Sequence, residues 1–211
     1  MAEIKIGRMV LGSCQTNCYF IYQEEEMPGQ GDAQGHKRAI VVDPADQGGR
    51  IHETLERNGI EVEAILLTHG HFDHVGAVRA IHEATHCPVF LHRGDLSQPK
   101  SMTGGELCYT DTYEEGESCT FGGVTFTVLS TPGHTEGSVC LQTDDGIFTG
   151  DTLFAGSCGR TDFPGGRWIR MEASLQKLKA LPFAGAVYPG HGEATTLAAE
   201  RQSNPYLRGG L

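Results

Sequence analysis

The sequence predicts an α/β fold in which two packed β-sheets carry helices on their outer faces. Three observations predict it. Residues 39–92 alternate strand-like apolar runs with helical periodicity, residues 124–151 hold closely spaced strand patterns, and residues 168–201 return to helix, strand and helix. Strands with helical crossovers beside paired strands bury their apolar faces most economically as two sheets back to back with the helices outside.

Each element has its own signal. The opening MAEIKIGRMVLGSCQTNCYFIY alternates like a half-buried strand, with NCYFIY (17–22) as its clearest run. It lacks the charged, apolar, small-residue order of a secretory leader, which points to a cytoplasmic protein. Glu24 to Lys37, EEEMPGQGDAQGHK, reads as a long hairpin tip leading into the strand AIVVD (39–43). A helix from Gly49 to Asn58, a strand EAILLTH (63–69), a helix from Asp73 to His86 and a strand PVFLH (88–92) complete a βαβαβ run. A Gly- and Thr-rich loop at 101–116 precedes VTFTVLST (124–131), SVCLQT (138–143) and GIFTGD (146–151). A helix from Trp168 to Leu181, a strand GAVYPG (185–190) and a helix from Thr195 to Arg201 close the pattern.

The 211 residues match one domain, 1–211, at roughly 150 residues per domain. With 38% hydrophobic and 20% charged residues and no run near the ~18 apolar residues of a membrane span, the chain reads as globular and not membrane-bound. Sixteen basic against 27 acidic residues give a formal charge of −11, which disfavours nucleic acid as a partner because that binding runs on clustered Lys and Arg. Seven cysteines, odd in number and scattered, read as reduced thiols. The 29 glycines, twice the usual ~7%, mark many tight loops, where function concentrates.

The chemistry gathers at glycine-bounded strand ends. In Thr68-His69-Gly70-His71-Phe72-Asp73-His74, extended backbone would set His69, His71 and Asp73 on one face, with His74 turned aside as a helix begins. Three more ligand-type residues follow apolar runs and a glycine: His134 in STPGHTEGS, Asp151 in FTGDTLF and His191 in YPGHGE. Singly, His134 and His191 read as ordinary hydrogen-bonded histidines. Beside the dense cluster, five histidines and two carboxylates divide into two sites of three ligands each plus one shared carboxylate, a donor set that suits zinc, iron or manganese. A competing motif, His82-Glu83-Ala84-Thr85-His86 with His92 beyond it, matches H-E-x-x-H. It fails on the backbone: Pro88 ends the helix, and Val89 stands where the extended zinc-protease pattern needs a glycine. His82 and His86 read instead as a solvated helix face.

These motifs resemble those of the metallo-β-lactamase-fold hydrolases, and among them the small, single-domain glyoxalase II-like proteins. THGHFDH, TPGHTEGS, FTGDTLF and YPGHGE stand in the family's order, and GSCGRTDFPGG (156–166) and ERQSNPYL (200–207) resemble the glyoxalase II-like branch. The resemblance implies an αββα sandwich with the site at one edge. It implies that His69, His71 and His134 hold one metal, Asp73, His74 and His191 a second, and that Asp151 bridges them. It also implies that Asp43, in VVDP, supports the site from behind, where the plain alternative is a buried Asp bonded to loop amides.

Two divalent ions, Zn2+ foremost with iron or manganese as alternatives, would acidify a shared water to hydroxide, with Asp73 orienting it. The resemblance then implies hydrolysis of an acyl-thioester such as S-lactoylglutathione to a hydroxy acid and a free thiol. Glyoxalase II enzymes with two domains add a helical domain that contacts glutathione, and this chain stops at Leu211. Where they carry a lysine, Arg160 stands here as a candidate substrate contact, with a salt bridge to Asp162 as its alternative; Asp162 replaces an expected aromatic contact. Three other readings are a mononuclear-iron persulfide dioxygenase, a lactone or β-lactam hydrolase, and a metal-holding binding module without turnover.

Overall fold

A computed structural model describes residues 3–24 and 37–208; nearly all of the expected hairpin tip at Glu24 to Lys37 lies outside the described residues. The first half contains β1 (Glu3–Leu11), β2 (Thr16–Glu24), β3 (Lys37–Val42), α1 (Gly48–Arg57), β4 (Ile60–Leu66), α2 (Phe72–Val75) and α3 (Val78–Thr85). It continues with β5 (Val89–His92), a 3₁₀ turn (Arg93–Asp95), α4 (Lys100–Thr103) and β6 (Asp111–Tyr113). The second half contains β7 (Ser118–Phe121), β8 (Val124–Ser130), β9 (Val139–Gln142), β10 (Gly146–Gly150), β11 (Leu153–Phe154) and β12 (Ser157–Cys158). It ends with α5 (Trp168–Ala180), β13 (Ala186–Pro189), β14 (Thr195–Thr196), α6 (Leu197–Ser203) and α7 (Pro205–Arg208).

The strands form two six-stranded sheets, β1-β2-β3-β4-β5-β6 and β14-β13-β10-β9-β8-β7, with β11 and β12 as a separate pair. Both sheets are mixed. In the first, β3 to β6 run parallel and β1 and β2 pair antiparallel; in the second, only β10 and β13 pair in parallel.

Side-chain alternation divides the apolar residues into three layers. On β2, Tyr19 and Ile21 join the core between the sheets, while Cys18 and Phe20 face α1 and α3. Val42 and Leu66 face inward and their neighbours Val41 and Ile65 outward. The second sheet does the same: Val139, Leu141 and Phe148 meet the first sheet, and Cys140 and Ile147 turn to the helical layer of α5, α6 and α7. Strands buried on both faces need continuous apolar runs, which explains why AILL, VCL and GIF lack polar alternation. The helices need one apolar stripe each: Ile51 and Leu55 on α1, and Met171, Leu175 and Leu178 on α5. The αββα sandwich is therefore the observed architecture.

Some local expectations are corrected. The helix expected over 73–86 is two helices, broken at Gly76 and Ala77. Pro44 O takes the Ala77 N–H at 2.9 Å, and Ala45 O lies where a Cβ on Gly76 would come within 2.3 Å. The exit loop of β3 thus takes an amide hydrogen that a continuous helix would use and leaves no room for a side chain at residue 76. The 101–116 loop contains most of α4 and all of β6, and β7 was not expected; these short pieces have too little periodicity to announce themselves. Strand β4 ends at Leu66, so Asp73 projects from α2 and not from extended chain.

Phe126, fully buried between the sheets, should cost about 3–5 kcal/mol of stability when replaced by Ala, whereas Ile169→Ala, at a 71% exposed position, should stay within about 0.5 kcal/mol. Denaturant titration of both variants checks the contrast.

Candidate metal centre

The ligand-type residues come from loops at one edge of the sandwich. Strands β3 and β4 are parallel and end at that edge; β8, β10 and β13 point the same way, because β9 reverses between β8 and β10 and β10 pairs in parallel with β13. Their exit loops carry Asp43, His69 to His74, His134, Asp151 and His191, respectively. The edge is sewn across the sheets by Val139 N–H donating to Thr68 O at 2.9 Å. Gly190 permits the last approach, since a Cβ there would lie 2.4 Å from Asp151 Oδ1 and 2.7 Å from His74 Cε1.

The side chains converge in three overlapping groups: His69, His71 and His134; His69, His74 and Asp151; and Asp73, His74 and His191. Within each group the candidate ligand atoms lie within 4.8 Å of one another. His71 Nδ1 is 2.9 Å from His134 Nε2. Asp151 lies between the outer groups, with Oδ2 3.4 Å from His134 Nε2 and 3.6 Å from His191 Nε2, and Oδ1 3.4 Å from His74 Nε2. Asp73 Oδ2 is 3.4 Å from His191 Nε2 and 3.8 Å from His74 Nε2, and accepts from Thr16 Oγ1 at 3.2 Å.

The far side of nearly every imidazole is engaged. His134 Nδ1 donates to Arg160 O at 2.7 Å, His191 Nδ1 to Cys14 O at 3.1 Å and His74 Nδ1 to Asp43 Oδ2 at 2.9 Å. Thr68 donates its hydroxyl to Asp43 Oδ2 at 2.6 Å and so accepts from His69 Nδ1 at 3.1 Å. These contacts fix the tautomers: His134 Nε2 accepts from His71 Nδ1, and Nε2 of His69, His71, His74 and His191 meets no proton donor. Among the described residues, His69 Nε2, His71 Nε2, His74 Nε2 and Asp151 Oδ1 are buried at the centre and accept no hydrogen bond. A buried acceptor without a donor is costly, and four converging lone pairs with two carboxylates are the environment a divalent cation satisfies. The residues present therefore fit metal ions.

Electrostatics follow the same geometry. Burial and the neighbouring imidazoles hold His69 well below its ordinary value, and burial with His134 brings His71 down to about 4. Burial would also lower His74, but Asp43 and Asp151 outweigh it and raise the ring well above its ordinary value; Asp73 and Asp151 outweigh burial at His191 too and raise it. Burial disfavours the Asp73 and Asp151 carboxylates, yet His191 and His74 pull both below the usual carboxylate range.

All seven residues singled out from the sequence are thus brought together. Both readings of Asp43 hold at once: it accepts the Thr68 N–H at 2.8 Å and grips His74. Arg160 pairs with Asp162 through Nε and Nη2, both at 2.6 Å, and stacks over Phe163 at 4.1 Å, while Phe163 turns its ring edge to His71. The His82–His86 motif gathers no metal group among the described residues. His82, expected in solvent, is half-buried with Nδ1 on Cys87 O at 2.8 Å, and exposed His86 ends α3 at a φ of 56°. Sequence reasoning missed Thr16, Phe163's place beside the imidazoles, and buried Asp95, whose setting in LHRGDL carries no ligand pattern.

Residues 11–191 match the metallo-beta-lactamase superfamily model. The chain belongs to that superfamily, whose members bind divalent metals, and is a metallo-hydrolase of it. Its relatives include the hydroxyacylglutathione hydrolase GloC of Haemophilus influenzae, 31% identical over 92% of this chain and 93% of that protein. Among solved structures, BLEG-1 B3 metallo-beta-lactamase is 34% identical with a TM-score of 0.84, covering 97% of this chain and all of that one. TTHA1623, solved in a di-iron-bound form, is 36% identical with a TM-score of 0.80, covering 95% and 100%. ETHE1 from Myxococcus xanthus is 28% identical with a TM-score of 0.79, covering 95% and 83%. No helix among the described residues is long and apolar enough to cross a membrane.

Because His71 titrates near 4 in the folded chain and near 6.5 unfolded, the unfolded state binds the extra proton between those values. Its contribution to the stability of metal-free protein is full above pH 6.5 and falls as pH drops toward 4, while raised His74 and His191 stabilise throughout that window. Melting temperatures from pH 7 to 4 should fall, and His71→Ala should flatten the slope; parallel slopes would remove His71 as the cause.

Proposed function

We propose that the protein hydrolyses acyl-thioesters, S-lactoylglutathione among them, to a hydroxy acid and a free thiol in the cytoplasm. The observation that carries this reading is the convergence of seven ligand-type side chains with their lone pairs turned inward. His69, His71 and His134 would hold one divalent ion, Asp73, His74 and His191 the other, and Asp151 would bridge them; zinc suits this nitrogen and oxygen set, and iron or manganese fit it as well. When bound, the ions supply an acidified water as nucleophile and Lewis-acid stabilisation of the developing oxyanion.

The chain's own residues do the rest. Asp73, kept ionised, would accept a hydrogen bond from the attacking water and so orient it. Asp43, through Thr68 and His74, holds two imidazoles rigid so that little reorganisation accompanies charge development. The leaving thiol has an ordinary pKa near 8.5, so thiolate departs without a strong general acid. Arg160 and Thr161, with Cys158, Trp168 and Tyr206, line a concavity of about 400 Å³, and Arg160 there is the candidate contact for the thiol arm. GloC's name supports the thioester reading.

Two other readings have specific support. Likeness to the B3 metallo-beta-lactamase BLEG-1 supports β-lactam ring opening, and two histidines with a carboxylate, as in His69, His74 and Asp151, also suit a single iron in a persulfide dioxygenase.

Protein purified without added metal should contain two metals per chain and hydrolyse S-lactoylglutathione without oxygen, with β-lactams unchanged. Asp151→Ala or His71→Ala should lower turnover on the order of 10³-fold, the loss of several kcal/mol of transition-state stabilisation. Unchanged turnover in either variant would refute the mechanism, and one iron per chain with oxygen uptake on a persulfide would favour the dioxygenase.

A further inference from the structure

Three carboxylates outside the metal centre are buried among the described residues: Asp43, Asp95 and Glu200. Asp43 braces two imidazoles, and Glu200 ties α6 to Gly156, Asn204 and Thr195. Asp95, wholly buried at the end of the 3₁₀ turn, is not used by the hydrolytic mechanism. Its Oδ2 accepts the Gly70 N–H at 2.8 Å and the Thr135 hydroxyl at 3.0 Å, and its Oδ1 accepts the Gly137 N–H at 2.7 Å.

The identity of those donors matters. Gly70 lies between His69 and His71, and Thr135 directly follows His134. One oxygen therefore joins the two loops that supply the three-histidine group. The approach is as close as glycine allows: a Cβ on Gly137 would sit 2.7 Å from Asp95 Oδ1 and 2.6 Å from its backbone nitrogen, and a Cβ on Gly94 would meet the Glu136 carbonyl at 2.9 Å. Three chain segments close on this carboxylate with no side chain between them.

We propose that Asp95 is a positioning residue that sets the separation of the His69–His71 pair from His134, and through it the affinity of that group for a divalent ion. The inference rests on the metal reading above but not on the choice of substrate. A carboxylate suits the place because every neighbour named is a donor. Asparagine has the same size, yet its NH2 would confront the Gly70 or Gly137 N–H, so it breaks the clamp without opening a cavity.

The test is Zn2+ affinity of the full chain, by competition with a chromophoric chelator, in a His191→Ala background that disables the second ligand group. Asp95→Asn should weaken binding tenfold or more, within the range seen when residues supporting ligands are lost. Thr135→Val, which keeps the carboxylate and removes one donor, should weaken it severalfold and decides the matter if Asp95→Asn does not fold. Glu200→Gln, an equally buried carboxylate elsewhere, should lower the melting temperature and leave the affinity unchanged. Affinity within twofold of the parent in both clamp variants, or an equal loss in Glu200→Gln, overturns the proposal. No Zn2+ binding by the parent overturns the metal reading and this inference with it.

Discussion

The structure turns on one buried carboxylate. Asp43 stands at the exit of β3 with a φ of 49°, a conformation rare outside glycine, and its two oxygens accept Thr68 N–H, Thr68 O–H and His74 Nδ1–H. Those bonds fix the first residues beyond β4 and the ring of His74, and through Thr68 they set the tautomer of His69. The strained backbone is held because the carboxylate's bonds and the packing of the exit loop against α2 and α3 over-determine it. The break between those helices belongs to the same constraint, since Pro44 takes the amide hydrogen that a continuous helix would use.

The centre itself works against folding. Imidazoles crowd one another, with His69 and His71 pushed toward neutrality, and acceptor atoms are buried without donors. Such a cluster survives because it occupies an edge, while the three apolar layers carry the stability. Metal would convert the cluster from a cost into a support, coupling ion binding to stability. Part of the arrangement is already in the protonation state that ligation requires, neutral His69 and His71 and ionised Asp73 and Asp151, whereas His74 and His191, raised by their carboxylate neighbours, give up a proton on binding a cation.

The wall of the centre differs in kind from its floor. The ligand-type residues sit on loops braced across the two sheets by Val139 N–H to Thr68 O at 2.9 Å and Asn17 N–H to Gly190 O at 2.7 Å. The 158–163 loop instead contributes a backbone carbonyl to His134, an aromatic edge to His71 and an exposed Arg160 paired to Asp162. An ion pair in solvent contributes little to stability and exchanges readily, so this segment is suited to adjusting to a substrate arm while the ligands stay fixed.

The sandwich and the set of ligand-type residues were legible in local sequence. Long apolar runs such as EAILL and TVL require sheets covered on both faces, and ligand-type residues after apolar strands and glycines announce a centre at strand ends, because local pattern and spacing carry that information. Tertiary structure decided what depends on contacts distant in the chain. The helix breaks where Pro44 takes the Ala77 N–H and Ala45 leaves no room for a side chain at Gly76, Asp43 serves both as a loop anchor and as a partner of His74, and Asp95 joins Gly70 to Thr135 across separate sheets. A lone aspartate in a turn has no periodicity to mark it; only its buried donors reveal its task, and those donors are brought together by strand pairing and sheet packing rather than by neighbouring sequence.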